Sequence, residues 1–184
     1  MKRLVLLALV LLPSLAWAFP IDVQGCGNAN PTAANVWSRY LTAGPEDFSR
    51  DFLKAGGAIS CRFSWPSTDP ASLTPTVWFD TAINTATSGS ACLRAKISCL
   101  TASNDEEDNM AFGTAVDYSA ALPGSYAATK VAKVTFSGPV TPNAHAAGAL
   151  CYLYFARVDG VGGCANTIAD ANSSGILVKV INLN

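Results

Sequence analysis

After residue 57, apolar and polar residues alternate with a period of two along most of the chain. In residues 58–65, Ile59, Cys61, Phe63 and Trp65 fall on one face, and Ser60, Arg62 and Ser64 on the other. That alternation predicts a strand with one buried face. Prolines between Pro66 and Pro75 interrupt it. It resumes over residues 76–83, where Val77, Phe79 and Ile83 share a face and Trp78 points the opposite way, beside Asp80. A turn around Gly89 leads to residues 91–100, with Leu93, Ala95, Ile97 and Cys99 opposed to Cys92, Arg94, Lys96 and Ser98. Residues 111–118 carry a weaker strand pattern. In residues 129–136, Ala132, Val134 and Phe136 oppose Lys133 and Thr135. Residues 149–158 are apolar on both faces, Leu150, Tyr152 and Tyr154 against Cys151, Leu153 and Phe155, which predicts a central strand covered on both sides. In the last strand, residues 175–182, Ile176, Val178 and Val180 share a face.

One helix is predicted, over residues 45–54. Pro45 suits a first helical position, Glu46 and Asp47 suit the first turn, Phe48 and Phe52 share a face, and Gly56-Gly57 ends the pattern. No helical pattern interleaves with the strands, so the sequence predicts an all-β antiparallel sandwich of about eight strands rather than βαβ units. With no internal repeat and no low-complexity linker, the expected organisation is a signal peptide (1–18), an N-terminal arm with the short helix (19–57), and one β-sandwich domain (58–184).

The first residues change the picture of where the chain works. Met1-Lys2-Arg3 precedes an apolar run from Leu4 to Leu12, and Ala16 and Ala18 are small residues two apart. A positive start, a short apolar stretch and a small-x-small ending are the three parts of a secretory signal peptide, with the cut expected before Phe19. The apolar run is about half the roughly 20 residues that a membrane-spanning helix needs. The first cysteine is Cys26, so no lipid anchor is expected at the cut. The expected location is secreted, extracellular or periplasmic, with no membrane span in the mature chain.

Cleavage leaves 166 of the 184 residues, enough for one domain with its own core. All six cysteines, Cys26, Cys61, Cys92, Cys99, Cys151 and Cys164, lie in that part. An even number behind an export signal predicts disulfides. A zinc site lacks support, because no C-x-x-C pair exists and His145 is the only histidine. Cys151 and Cys164 flank a Gly-rich stretch, which makes a local bridge there the expected one; the spacing leaves the other pairings open. Without Lys2 and Arg3, 10 basic residues face 13 acidic ones, a net charge of −3. A mildly acidic chain with no basic stretch offers no footprint for nucleic acid.

Several positions match a wider pattern: Phe63-Ser64-Trp65-Pro66 before a loop, Val77-Trp78-Phe79, Ala147-Gly148-Ala149-Leu150 leading into Tyr152-Leu153-Tyr154-Phe155-Ala156-Arg157, then Asp170 and the closing Ile176-Leu177-Val178-Lys179-Val180. In this layout, over about two-thirds of its length, the chain resembles jelly-roll β-sandwich domains of the phage fibre and head-decoration type and of secreted bacterial proteins. The resemblance implies a structural or surface-binding module that can assemble as a trimer or fibre. The apolar Phe19-Pro20-Ile21 arm is then a segment able to join a neighbour's sheet edge.

Polar chemistry is sparse. The acidic loop Asp105-Glu106-Glu107-Asp108, flanked by Asn104 and Asn109, is the most distinctive cluster. Carboxylate and carbonyl oxygens are calcium ligands, so Asp105, Glu106 and Asp108 are the metal candidates, but the loop lacks the alternation and glycine of an EF-hand and reads first as a solvated connection. No other cofactor is expected. Among Trp37, Tyr40, Trp65, Trp78, Tyr118 and Tyr126, Trp78 is the ring expected outside the core and available for stacking on a sugar. A serine triad would have to use His145, which sits in a loop-like stretch, and no G-x-S-x-G elbow is present. Asp80, Asp117, Asp159 and Asp170 are available for the carboxylate pair of a glycosidase, though any sandwich has such residues near strand ends. Asn172-Ser173-Ser174 fits a glycosylation sequon. The expected function is a secreted, non-enzymatic structural or ligand-binding module, its partners a glycan or cell-surface ligand and copies of itself. The alternative is a small secreted carbohydrate-active hydrolase using a carboxylate pair.

Overall fold

The computed structural model describes residues 21–22, 24–28, 52–53, 56–80, 88–101, 110–124, 130–158, 162–168 and 176–184. They form ten strands and no helix: β1 (Ile21–Asp22), β2 (Gln24–Asn28), β3 (Phe52–Leu53), β4 (Ala58–Ser64), β5 (Pro75–Asp80), β6 (Ser90–Leu100), β7 (Val116–Ala121), β8 (Ala132–Thr135), β9 (Leu150–Arg157) and β10 (Ile176–Leu183). Sheet A runs β1-β10-β5-β8, with β3 also paired to β10; sheet B runs β2-β4-β9-β6-β7. Every pairing is antiparallel. The chain changes sheet at every connection except the one from β6 to β7, which are neighbours in sheet B.

The inner faces share one core. Ile59, Cys61 and Phe63 of β4, Leu93, Ala95 and Ile97 of β6, and Leu153 and Phe155 of β9 meet Val77 and Phe79 of β5, Ala132 and Val134 of β8, and Ile176 and Val178 of β10. These are the inward sets that the alternation predicts. β9 lies between β4 and β6, and its outer-face Tyr152 and Ala156 are buried as well, but on the same face Tyr154 is half-buried and Leu150 is 43% exposed, so the expected cover on both sides is only partial.

Four expectations change. Most of the predicted helix, residues 45–51 and 54, lies outside the described residues; Phe52 and Leu53 form β3, opposite Leu177 and Ile176. Extended backbone there gives β10 a partner for its first residues, a tertiary gain that makes these two residues strand rather than helix. Ile21, expected in an arm reaching for a neighbour, pairs with Leu183 of its own chain. Third, the alternation in β10 is broken. Val178 is opposite Phe79, but Val180, not residue 179, is opposite Trp78. This β-bulge inserts one residue and reverses the facing of the rest of the strand: Ile181 and Leu183 are buried, while Val180, expected inside with Val178, is 37% exposed on the outer face.

The fourth change is the expected Cys151–Cys164 bridge. Cys151 is bonded to Cys99, directly opposite it on the neighbouring strand, with Cα atoms 4.0 Å apart. Cys164 is bonded to Cys92. Residues 164–168 return to the start of β6, where the Thr167 and Ile168 amides donate to the Ser90 carbonyl. Cys92 and Cys99 lie seven residues apart on one strand, about 23 Å at 3.3 Å per residue, so Cys164 at Cys92 is out of reach of Cys151. Cys61 is also disulfide-bonded. The Cys26 side chain lies outside the described part, but its strand β2 pairs with β4 through Gln24 with Arg62 and Gly27 with Ser60, on either side of Cys61.

Candidate functional site

Because Val77 and Phe79 point into the core, Trp78 between them must point out of sheet A. Its ring is half-buried. On one side, Lys133 of β8 is its direct cross-strand partner, and the ammonium lies 5.1 Å from the ring centroid. On the other side is Val180, turned outward by the bulge. Val131, two residues before Lys133, is 47% exposed. Next to this patch the face becomes polar: the Thr76 and Thr135 hydroxyls are 3.0 Å apart, and the Asn184 amide donates to Thr76. Among the described residues, Lys133 has no carboxylate partner. Among the described residues, β8 is an edge strand of sheet A. The arrangement is an indole with the Lys133 ammonium over it and the exposed Val180 opposite it on the neighbouring strand.

The outer face of sheet B carries more charge, already engaged. Arg94 on β6 and Asp117 on β7 are cross-strand partners joined by two hydrogen bonds of 2.7 and 2.8 Å. Hydrogen bonding to the Arg94 guanidinium lowers the Asp117 carboxyl below its ordinary value, and the same bond raises Arg94. The Lys96 ammonium sits 4.5 Å from the Phe112 ring centroid and 4.4 Å from that of Tyr154. Arg62 lies over the Tyr152 ring at 5.6 Å. The Ser98 hydroxyl donates to the Ala111 carbonyl.

A third feature lies where the β4–β5 and β8–β9 connections meet. His145 Nδ1 is 2.8 Å from an Asp69 carboxylate oxygen, and its ring is 5.2 Å from that of buried Trp65. Asp69 is held at φ 48°, and its amide donates to the Pro66 carbonyl. The partnership escapes sequence reading, because 76 residues separate the two. Among the described residues, no serine or threonine hydroxyl is hydrogen-bonded to His145. The pair ties two loops together.

The other candidates do not gather into a site. Asp105, Glu106 and Asp108 lie outside the described residues, as do Trp37, Tyr40, Tyr126, Asp159, Asp170, the sequon at 172–174 and the Asp80 side chain. Among the described residues, no group of three metal-ligating side chains occurs, and no helix is long and apolar enough to cross a membrane. Of the four carboxylates named for a hydrolase, the one whose side chain is described, Asp117, is held by Arg94. Trp65 lies in the core, and Tyr118 stacks on Phe136 at 5.2 Å. Arg157, inconspicuous in sequence, is fully buried; its guanidinium donates to the Asn166 side chain at 2.9 and 3.0 Å and to the Ile168 carbonyl, holding the Cys164 loop to the sheet. No family model matches the chain, and no curated protein or solved structure shows significant similarity to it.

Proposed function

We propose that the chain is an exported, non-enzymatic β-sandwich that binds a glycan on a cell or matrix surface through the outer face of sheet A. The observation that carries this reading is the half-exposed Trp78 ring between Lys133 and the outward-turned Val180. A flat indole edged by aliphatic groups offers an apolar surface of the kind that stacks on the C–H face of a sugar ring. A bulge that aims an apolar side chain outward beside it is of the type found next to functional sites. Export is supported by the Met1–Ala18 pattern and by the Cys92–Cys164 and Cys99–Cys151 disulfides, which persist in oxidising compartments.

The jelly-roll assignment belongs to the same reading. Its support is the alternation of successive strands between the two sheets and the resemblance carried by residues 63–79 and 147–180. Assembly into a trimer or fibre follows from that resemblance. Size exclusion with light scattering tests it: a trimer or larger species supports assembly, and a monomer removes it.

Binding is tested by applying the oxidised mature protein to a glycan array beside its Trp78→Ala variant. Binding by the first and none by the second, at an unchanged far-ultraviolet circular dichroism spectrum and denaturant midpoint, is the expected result. No glycan bound by the unaltered protein overturns the reading.

A further inference from the structure

On the reading that Trp78 stacks on a sugar, we infer that the sugar is acidic, carrying a carboxylate or a sulfate. The reason is the position of Lys133. Its ammonium already occupies the space near the indole, 5.1 Å from the ring centroid, where it is attracted by the ring's π face. A neutral sugar stacking on that face of the ring displaces the cation and offers it only uncharged hydroxyl oxygens. An acidic sugar lets the ammonium swing from the ring to the anion, exchanging a cation–π contact for a charge-assisted hydrogen bond, which is stronger than a neutral one. Lys133 is exposed, and among the described residues no carboxylate holds it. The exposed Thr135 lies two residues along on the same face and can meet a ring hydroxyl.

Sheet B shows how differently a committed lysine is held. The Lys96 ammonium lies between two rings at 4.4 and 4.5 Å, and Arg94 is bound by Asp117 through two hydrogen bonds. Among the described residues Lys133 has a single ring, Trp78, beside its ammonium, and it is exposed. A lysine on an edge strand can also serve only to discourage pairing with other chains, and the experiment separates the two roles.

The oxidised protein is applied to an array that presents each acidic glycan beside its neutralised form, methyl-esterified or desulfated, with Lys133→Gln and Trp78→Ala in parallel. The expected result is binding of acidic members only, weakened about tenfold or more by Lys133→Gln, abolished by Trp78→Ala, and falling as sodium chloride rises from about 0.05 to about 0.5 M. Equal binding of the acidic and neutralised forms overturns the inference and leaves the sugar-binding reading standing. An acidic preference that survives Lys133→Gln also overturns it, and self-association of that variant then marks Lys133 as an edge guard. No binding to any member removes both.

Discussion

On the outer face of sheet B, the described cations are absorbed by the protein itself: Arg94 by Asp117, Lys96 by Phe112 and Tyr154, and Arg62 by Tyr152. On the outer face of sheet A, the Lys133 ammonium lies over Trp78, Val180 is turned outward opposite that ring, and among the described residues no carboxylate holds Lys133. Both faces use an aromatic ring and a lysine, yet sheet B closes these groups on one another and sheet A leaves them half open. The same division appears in the covalent structure. Sheet B carries the Cys99–Cys151 bridge across its central pair β6 and β9 and is tied by Cys92–Cys164 to the loop after β9. The two fully described disulfides thus both involve sheet B, and neither joins strands of sheet A.

The sharpest way to break that comparison is to remove the bridge in sheet B. Replacing both Cys99 and Cys151 by alanine should cost about 2–5 kcal/mol of unfolding free energy, read from denaturant melts. A loss no larger than that of Trp78→Ala would put the two sheets on equal terms. Next, Ile181→Ala should cost about 2–5 kcal/mol, because it opens a cavity in the core, whereas Val180→Ala on the outer face should stay within about 0.5 kcal/mol. Equal costs would mean that β10 has no bulge and that Val180 is not beside Trp78.

A smaller effect is expected at Gly113, which closes the seam between sheet B and the β8–β9 connection. A Cβ built there would lie 2.1 Å from the Thr141 carbonyl oxygen, a backbone atom with little room to give. The Gly113 amide donates to the Ile97 carbonyl, and the Cys99 amide donates to the Asn143 side chain beside it. Gly113→Ala should cost about 1–3 kcal/mol in the same melts; a neutral result would show that the loop can move aside.

The smallest effect belongs to the exposed ion pair. Asp117→Asn should remove about 0.2–1 kcal/mol at neutral pH, as expected for a surface pair. Arg94 holds the Asp117 carboxyl below its ordinary value of 3.8. The pair's stabilisation is therefore fully present above that value and is lost as pH falls through the lower folded-state value. The unaltered protein and the Asn variant should differ at pH 7 and converge in acid. A gap that persists in acid would assign the effect to packing rather than charge.

How much of this was legible in sequence depends on how local the cause is. The inward faces of β4, β6 and β9 follow from alternation, since each residue's side is fixed by its immediate neighbours. The outward direction of Trp78 follows the same way from Val77 and Phe79. The facing of Val180 did not, because a bulge is set by the count of residues on the partner strand, and β10 read alone shows an unbroken apolar set at 176, 178 and 180. Disulfide partners failed for a related reason. Cys151 finds Cys99 through the β6–β9 register, a property of two distant segments, whereas sequence proximity favoured Cys164. The Asp69–His145 contact depends on two loops brought together by the whole sandwich. For Lys133, alternation placed the side chain on the polar face, but its position over Trp78 required the β5–β8 pairing.

The central claim is that sheet A, not sheet B, offers the binding face. The most direct test compares Trp78→Ala with Tyr154→Ala, two aromatic deletions on opposite outer faces, for binding to the glycans the unaltered protein retains on the array. The account expects Trp78→Ala to lose binding and Tyr154→Ala to keep it. Binding that survives Trp78→Ala but disappears in a folded Tyr154→Ala variant would contradict the account and move the site to sheet B.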